Sequence, residues 1–274
     1  MYPDIECIQT TVKYLAGGDY PALYIASTGG GDMTEHRGHY ALESVTVHNA
    51  RNRPGDFSLD REGFILAPQR TAVTDFYNEK EITGTFYNEV RALVIRETGA
   101  SRVEIFDHTR RSSSVDVQKE KKIRETASIV HNDYTARSGP NRLRDHFPGD
   151  PGQAEDLLAR RFSIVNVWRS IHGTVQSAPI ALCDASSTES ADLVPVERRA
   201  RDRIGEIQLA RASTWHHWYY FPRMNMEEAL LFKTYDSLDD GRARFTIHTA
   251  IEDPLSPDNA RPRESIETRC FVFY

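Results

Sequence analysis

A chain of 274 residues with 39% apolar and 27% charged residues has the composition of an ordinary globular protein, long enough for one large domain or two small ones. Its net charge of −6 argues against nucleic-acid and anionic-membrane partners, and no apolar run approaches the ~20 residues needed to cross a bilayer. Met1-Tyr2-Pro3-Asp4-Ile5-Glu6 lacks the basic and apolar regions of a signal peptide, and Cys7, Cys183 and Cys270 are too few and too scattered for a disulfide framework or a CxxC clip. A reducing, cytoplasmic setting is expected.

The first seventy residues read as strands and turns. Residues 40–48 alternate in a β-rich pattern, and Asn52-Arg53-Pro54-Gly55-Asp56 is a turn by composition. Gly29-Gly30-Gly31-Asp32 is a loop without the Gly-Lys-Ser/Thr of a phosphate loop. Residues 78–97 predict a helix: Ile82, Phe86, Val90, Leu93 and Val94 recur at helical spacing, Gly84 weakens the first turns, and Gly99 stops it. A short strand follows at 102–106. His108, Arg110 and Arg111 follow it and read as a solvated loop in preference to a pocket border, and the Ser- and Lys-rich stretch after them, to Lys122, reads as a mobile loop.

Residues 129–135 are Ile-Val-His-Asn-Asp-Tyr-Thr. A strand there points His131 and Asp133 to the same side. Alone, a His-x-Asp tripeptide is most often a surface feature. With a second histidine it matches the two-His, one-carboxylate set that leaves three positions of an iron ion open. Downstream, a helix is expected at 153–161, strands at 162–168 and 179–183, a polar surface excursion at 184–205, and the aromatic run Trp215-His216-His217-Trp218-Tyr219-Tyr220-Phe221 as core or as a dimer contact. Asn225 and Glu228 suggest a capping box for a short helix through Leu231. Asp239-Asp240-Gly241 suggests a hairpin into the strand at 243–250, and a last strand covers 265–274. Many short strands with few helices, and no internal repeat or linker, predict a single domain over 1–274. Its core is a double-stranded β-helix (jelly roll, cupin-like), mainly β with flanking helices and an N-terminal strand and helix elaboration.

The third ligand is best sought at His248, on its own strand 115 residues after Asp133; the runner-up is the His216-His217 pair, of which only one member can face a site. Fifteen residues after His248, Arg263 and Ser265 share a strand face. A guanidinium fork with a hydroxyl suits the far carboxylate of 2-oxoglutarate, whose keto-acid end would chelate iron. Arg169 is a candidate for a substrate or cosubstrate carboxylate, and Tyr134, Trp168 and His217 for the pocket lining.

The chain resembles the fungal and bacterial hydroxylase/desaturase family of specialised metabolism, which includes gibberellin desaturase and CmcJ-like proteins. The matching stretches include His131-Asn132-Asp133-Tyr134-Thr135, Ser138-Gly139-Pro140, Asn166-Val167-Trp168-Arg169, Trp218-Tyr219-Tyr220-Phe221-Pro222, His248-Thr249-Ala250 and Pro262-Arg263-Glu264-Ser265-Ile266-Glu267. It departs at Ser170, where a proline is expected, and at the doubled His216-His217. The resemblance implies a jelly-roll dioxygenase using Fe(II), 2-oxoglutarate and O2 to hydroxylate, desaturate or cyclise a small molecule, releasing succinate and CO2. It assigns the metal to His131, Asp133 and His248, and the cosubstrate to Arg263. The residues alone leave two other readings: a metalloenzyme independent of 2-oxoglutarate (an oxidase or a hydrolase), and a non-catalytic jelly-roll binding protein.

Overall fold

The computed structural model describes residues 5–17, 22–201 and 203–274. Two sheets face each other. The larger has ten strands, in the order Cys7–Leu15, Tyr40–Asn49, Trp218–Tyr220, Ile180–Cys183, His248–Ala250, His131–Asn132, Ile204–Ala210, Leu193–Arg199, Leu23–Ile25 and Glu35–Arg37. The smaller has six: Phe64–Pro68, Glu228–Asp236, Phe162–Ser170, Glu264–Phe273, Arg102–Ser112 and Arg124–Glu125. Sequence neighbours are mostly not sheet neighbours, as in a jelly roll.

The central strand Phe162–Ser170 explains the layering. All nine residues are buried, because both faces are covered. Val165 and Val167 pack outward with Val90, Leu93 and Val94 of the helix Tyr87–Thr98. Trp168 packs inward with Ile180, Leu182 and Tyr219 of the larger sheet. Asn166, two residues before Trp168, therefore also faces the space between the sheets.

The expected helix forms at 79–98, widened to π geometry at Ile82–Phe86 around Gly84 and closed by Gly99 at φ 67°. Other expectations change. The strand beginning at Arg102 runs on to Ser112, and Ser114 caps a helix, Val115–Lys121, where a loop was expected. The polar stretch 184–205 holds most of a strand pair, Leu193–Arg199 against Ile204–Ala210. Glu228–Asp236 is a strand, not a helix. Ala229 and Leu231 pack to one side, Leu230 and Phe232 to the other. The bonds from the Asn225 N–H to the Glu228 carboxylate (3.0 Å) and from the Glu227 N–H to the Asn225 side chain (2.7 Å) close a turn into that strand. The Asp239-Asp240-Gly241 turn makes no hairpin: the strand before it belongs to the smaller sheet, and His248–Ala250 to the larger. Trp218, Tyr219, Tyr220 and Phe221 are buried core, while Trp215 is exposed.

Candidate metal centre and its two cavities

His131 and His248 stand directly opposite each other on adjacent antiparallel strands, with ring centroids 4.4 Å apart. Asp133, just beyond the short strand His131–Asn132, returns to the same side. Its Oδ1 lies 3.6 Å from His131 Nε2. One donor atom from each of the three residues lies within 4.8 Å of the others.

The surroundings fix which atoms face inward. His131 Nδ1 is 2.8 Å from the Ile129 carbonyl, and His248 Nδ1 is 3.0 Å from the Thr246 carbonyl. A carbonyl can only accept, so both Nδ1 atoms carry the proton and both Nε2 lone pairs are presented to the centre. Asp133 Oδ2 accepts from Asn166 Nδ2 and Arg269 Nε, each at 2.8 Å, which leaves Oδ1 free. Arg269 is held in turn by Asp107 at 3.0 Å and Glu267 at 2.5 Å. Phe232 packs 4.7 Å from the His248 ring.

The electrostatics suit a divalent cation. Burial, reinforced by His248, lowers His131 to about 4, and burial lowers His248 too, so both are neutral near pH 7. For Asp133, burial acts to raise the pKa, but Arg269 and the two imidazoles outweigh it and hold the carboxyl well below the usual range. Two neutral imidazole nitrogens and one carboxylate oxygen on one side of an open space fit iron.

Two cavities meet at these donors. The first is a narrow cleft lined by His131, His248, Trp168, Arg111, Arg263 and Glu267. Arg263 is buried, its Nη1 donates to the Ala178 carbonyl at 2.6 Å, and its guanidinium lies 5.5 Å from the Trp168 ring. Its Nε is buried without a partner. Burial lowers it to about 9, which leaves it charged at neutral pH. The unused donor capacity fits an incoming carboxylate. Ser265 is buried on the strand that begins directly after Arg263 but is not part of the cleft wall; Glu267 and Arg111 are. The second cavity, of about 330 Å³, opens over His131 and Asp133 and includes Tyr134, Arg198 and Arg269.

Two expected site residues lie elsewhere. Arg169 projects from the outward face of its strand, beside Phe76 and Phe86, and donates to the Met226 carbonyl and, at 3.4 Å, to that of Gln69. Alternation along the strand turns it away from Asn166 and Trp168. His217 is exposed, while its neighbour His216 is buried against Tyr14 (2.7 Å) and Asp192 (3.2 Å). Ser170, where a proline was expected, donates to the Gly173 carbonyl at 2.6 Å.

A family model described as an oxidoreductase/YMDC permease-like domain matches residues 12–273. The chain is 31% identical over 266 residues to the hydroxylase/desaturase CTB9 of Cercospora beticola, covering 89% of this chain and 81% of that protein. It is 32% identical over 251 residues to the alpha-ketoglutarate-dependent dioxygenase phiK of a fungal species, covering 85% and 84%. Among solved structures, the iron and alpha-ketoglutarate-dependent endoperoxidase NvfI superposes with a TM-score of 0.84 at 26% identity, covering 99% of both chains.

Proposed function

We propose, for a chain that belongs to the hydroxylase/desaturase family of Fe(II)/2-oxoglutarate-dependent dioxygenases, a division of labour among its site residues. The protein is a non-haem iron oxidoreductase that hydroxylates, desaturates or oxidatively cyclises a small molecule of specialised metabolism. The observation that carries the assignment is the His131, Asp133 and His248 cluster with both imidazole tautomers fixed by backbone carbonyls.

His131 Nε2, His248 Nε2 and Asp133 Oδ1 would hold Fe(II). When bound there, iron with 2-oxoglutarate and O2 would supply an oxidant able to take hydrogen from an unactivated carbon, with succinate and CO2 as the coproducts. Every other task falls to the chain. Asn166 and Arg269 keep Asp133 ionised and turned so that one oxygen faces the metal. Arg263 pairs with the distal carboxylate of 2-oxoglutarate, and Trp168 forms the apolar wall beside it. Phe232 packs against His248 and excludes water from that side. The larger cavity receives the substrate, with Tyr134 in its wall.

The chain works as one jelly-roll domain on a small-molecule substrate. No helix among the described residues is long and apolar enough to cross a membrane. Three free cysteines, two of them buried, support a reducing, cytoplasmic location.

The test is succinate release from 2-oxoglutarate under air. The expected result is release that requires both Fe(II) and 2-oxoglutarate and is lost in Asp133→Ala. Oxygen uptake that proceeds without 2-oxoglutarate would instead assign Arg263 to a substrate carboxylate.

A further inference from the structure

The larger cavity holds more arginine than its own carboxylates neutralise. Arg269 is paired with Asp133, Asp107 and Glu267. Arg137 pairs with Glu206, Arg142 with Asp107 at 3.7 Å, and Arg203 with Asp145 at 3.6 Å. Arg111 and Arg198, which also line the cavity, are in direct salt-bridge contact with no carboxylate among the described residues, although Glu267 and Asp133 act on them from further off. Arg111 donates to the backbone carbonyl of Glu125 at 2.9 Å, and the Arg198 guanidinium lies 5.9 Å from the Tyr24 ring.

The nearest carboxylates along the chain are engaged elsewhere. Glu197 is bound to Arg199 at 2.6 Å, and the Glu125 side chain accepts from the Ser27 and Thr34 hydroxyls. Arg124 stands in register with Arg111 on the adjacent parallel strand and likewise lacks an ion-pair partner among the described residues. Like charges placed opposite one another on neighbouring strands repel. Burial together with the neighbouring guanidiniums draws Arg124 and Arg198 below the ordinary arginine range. Arg111 and Arg198, half-buried and without a carboxylate in direct ion-pair contact, in a cavity that ends at the metal donors, offer a receptor for an anion brought from outside.

We propose that the substrate is a small organic acid whose carboxylate docks on Arg198, with Arg111 beside it, so that the carbon to be oxidised lies over His131 and Asp133. This rests on the dioxygenase reading and adds the substrate class to it. Arg198 is the discriminating residue because it borders only the larger cavity, whereas Arg111 also borders the cleft assigned to the cosubstrate. Asp145, Glu197 and Glu206, the other carboxylates of the cavity wall, are already paired with Arg203, Arg199 and Arg137.

The experiment uses three acids as probes, 1-naphthoate, cinnamate and decanoate, each with its methyl ester. They are titrated by calorimetry into anaerobic wild-type, Arg198→Gln and Arg198→Lys protein, with and without Fe(II) and 2-oxoglutarate. The expected result is that at least one acid binds wild type about tenfold or more tightly than its ester. Arg198→Gln removes that preference, Arg198→Lys retains part of it, and 2-oxoglutarate binding is unchanged in both. Ester binding that survives in both variants shows that the cavity is intact. Equal binding of all acids and esters to wild type overturns the proposal, as does a preference that survives Arg198→Gln. A loss of 2-oxoglutarate binding in Arg198→Gln assigns the residue to the cosubstrate and also overturns it. Acid selectivity that persists in protein unable to bind Fe(II) or 2-oxoglutarate would sink the dioxygenase reading alone.

Discussion

Arg169 and Arg263 lie close in the smaller sheet, one near the end of Phe162–Ser170 and the other just before its partner strand Glu264–Phe273. Both guanidiniums are buried, both lie beside aromatic rings, both donate to a backbone carbonyl, and both keep a buried nitrogen without a partner. Burial lowers the first to about 10 and the second to about 9. They differ in the face they occupy. Arg169 looks out at the helical layer, and Arg263 looks into a cleft that also contains His131 and His248. Burial and unused donors describe both residues; only the neighbours separate a ligand site from a structural one.

The comparison can be broken by mutation. Arg263→Ala should weaken 2-oxoglutarate binding about 100-fold, the scale of a buried charge-assisted pair. Arg263→Lys should recover only part of it, because a lysine lacks the fork. Anaerobic equilibrium binding of 2-oxoglutarate to the Fe(II) protein measures both. Asn166→Ala acts one step further from the metal. It leaves Asp133 Oδ2 with Arg269 alone and should reduce Fe(II) affinity about tenfold, read by competition with a chelator.

Arg169→Met should separate the two arginines. It leaves the carbonyls of Met226 and Gln69 short of a donor and should cost about 1–3 kcal/mol of stability. Its 2-oxoglutarate affinity should stay within about twofold of wild type; a tenfold loss would place Arg169 back in the site.

The smallest effect concerns a half-buried base outside the metal centre. Burial, with the His131 and Lys13 charges, lowers His36 from 6.5 to about 4. Between those values the unfolded chain binds more protons than the folded one, so His36 makes stability rise as pH climbs from about 4 to about 6.5 and adds no slope above that. His131, lowered in the same direction, adds to the slope in metal-free protein. His36→Gln should flatten part of this rise in the thermal midpoint of metal-free protein. An unchanged slope would show that His36 titrates normally.

Much of the site was legible because it depends on local spacing. His131 and Asp133 at i and i+2, His248 on its own strand, and Arg263 fifteen residues further on are all visible in one dimension. The parts that were missed depend on pairing. Asn166 and Arg269 meet Asp133 only because their strands are in register next to each other. Nothing in the sequence near 166 or 269 announces that contact. Arg111 and Arg198 fell in stretches whose polarity suggested loops, yet both lie on strands. Their polar side chains face a cavity, so the alternation of a half-buried strand is disguised. Arg169 entered the candidate set as the neighbour of Trp168, but adjacency in sequence means opposite faces in a strand. The short helix expected through Leu231 rested on the Asn225 and Glu228 capping pattern, and the apolar run 229–232 of a strand buried on both faces shows no alternation to contradict it.

The most direct test of the account is anaerobic titration of the metal-free protein, first with Fe(II) and then with 2-oxoglutarate, followed by visible absorption. The account predicts the metal-to-ligand charge-transfer band of an iron-bound keto acid in wild type. The band should be absent in Asp133→Ala. It should appear in Arg263→Ala only at far higher 2-oxoglutarate, and it should be unaltered in Arg169→Met. Iron bound tightly by wild type with no such band at any 2-oxoglutarate concentration would contradict it.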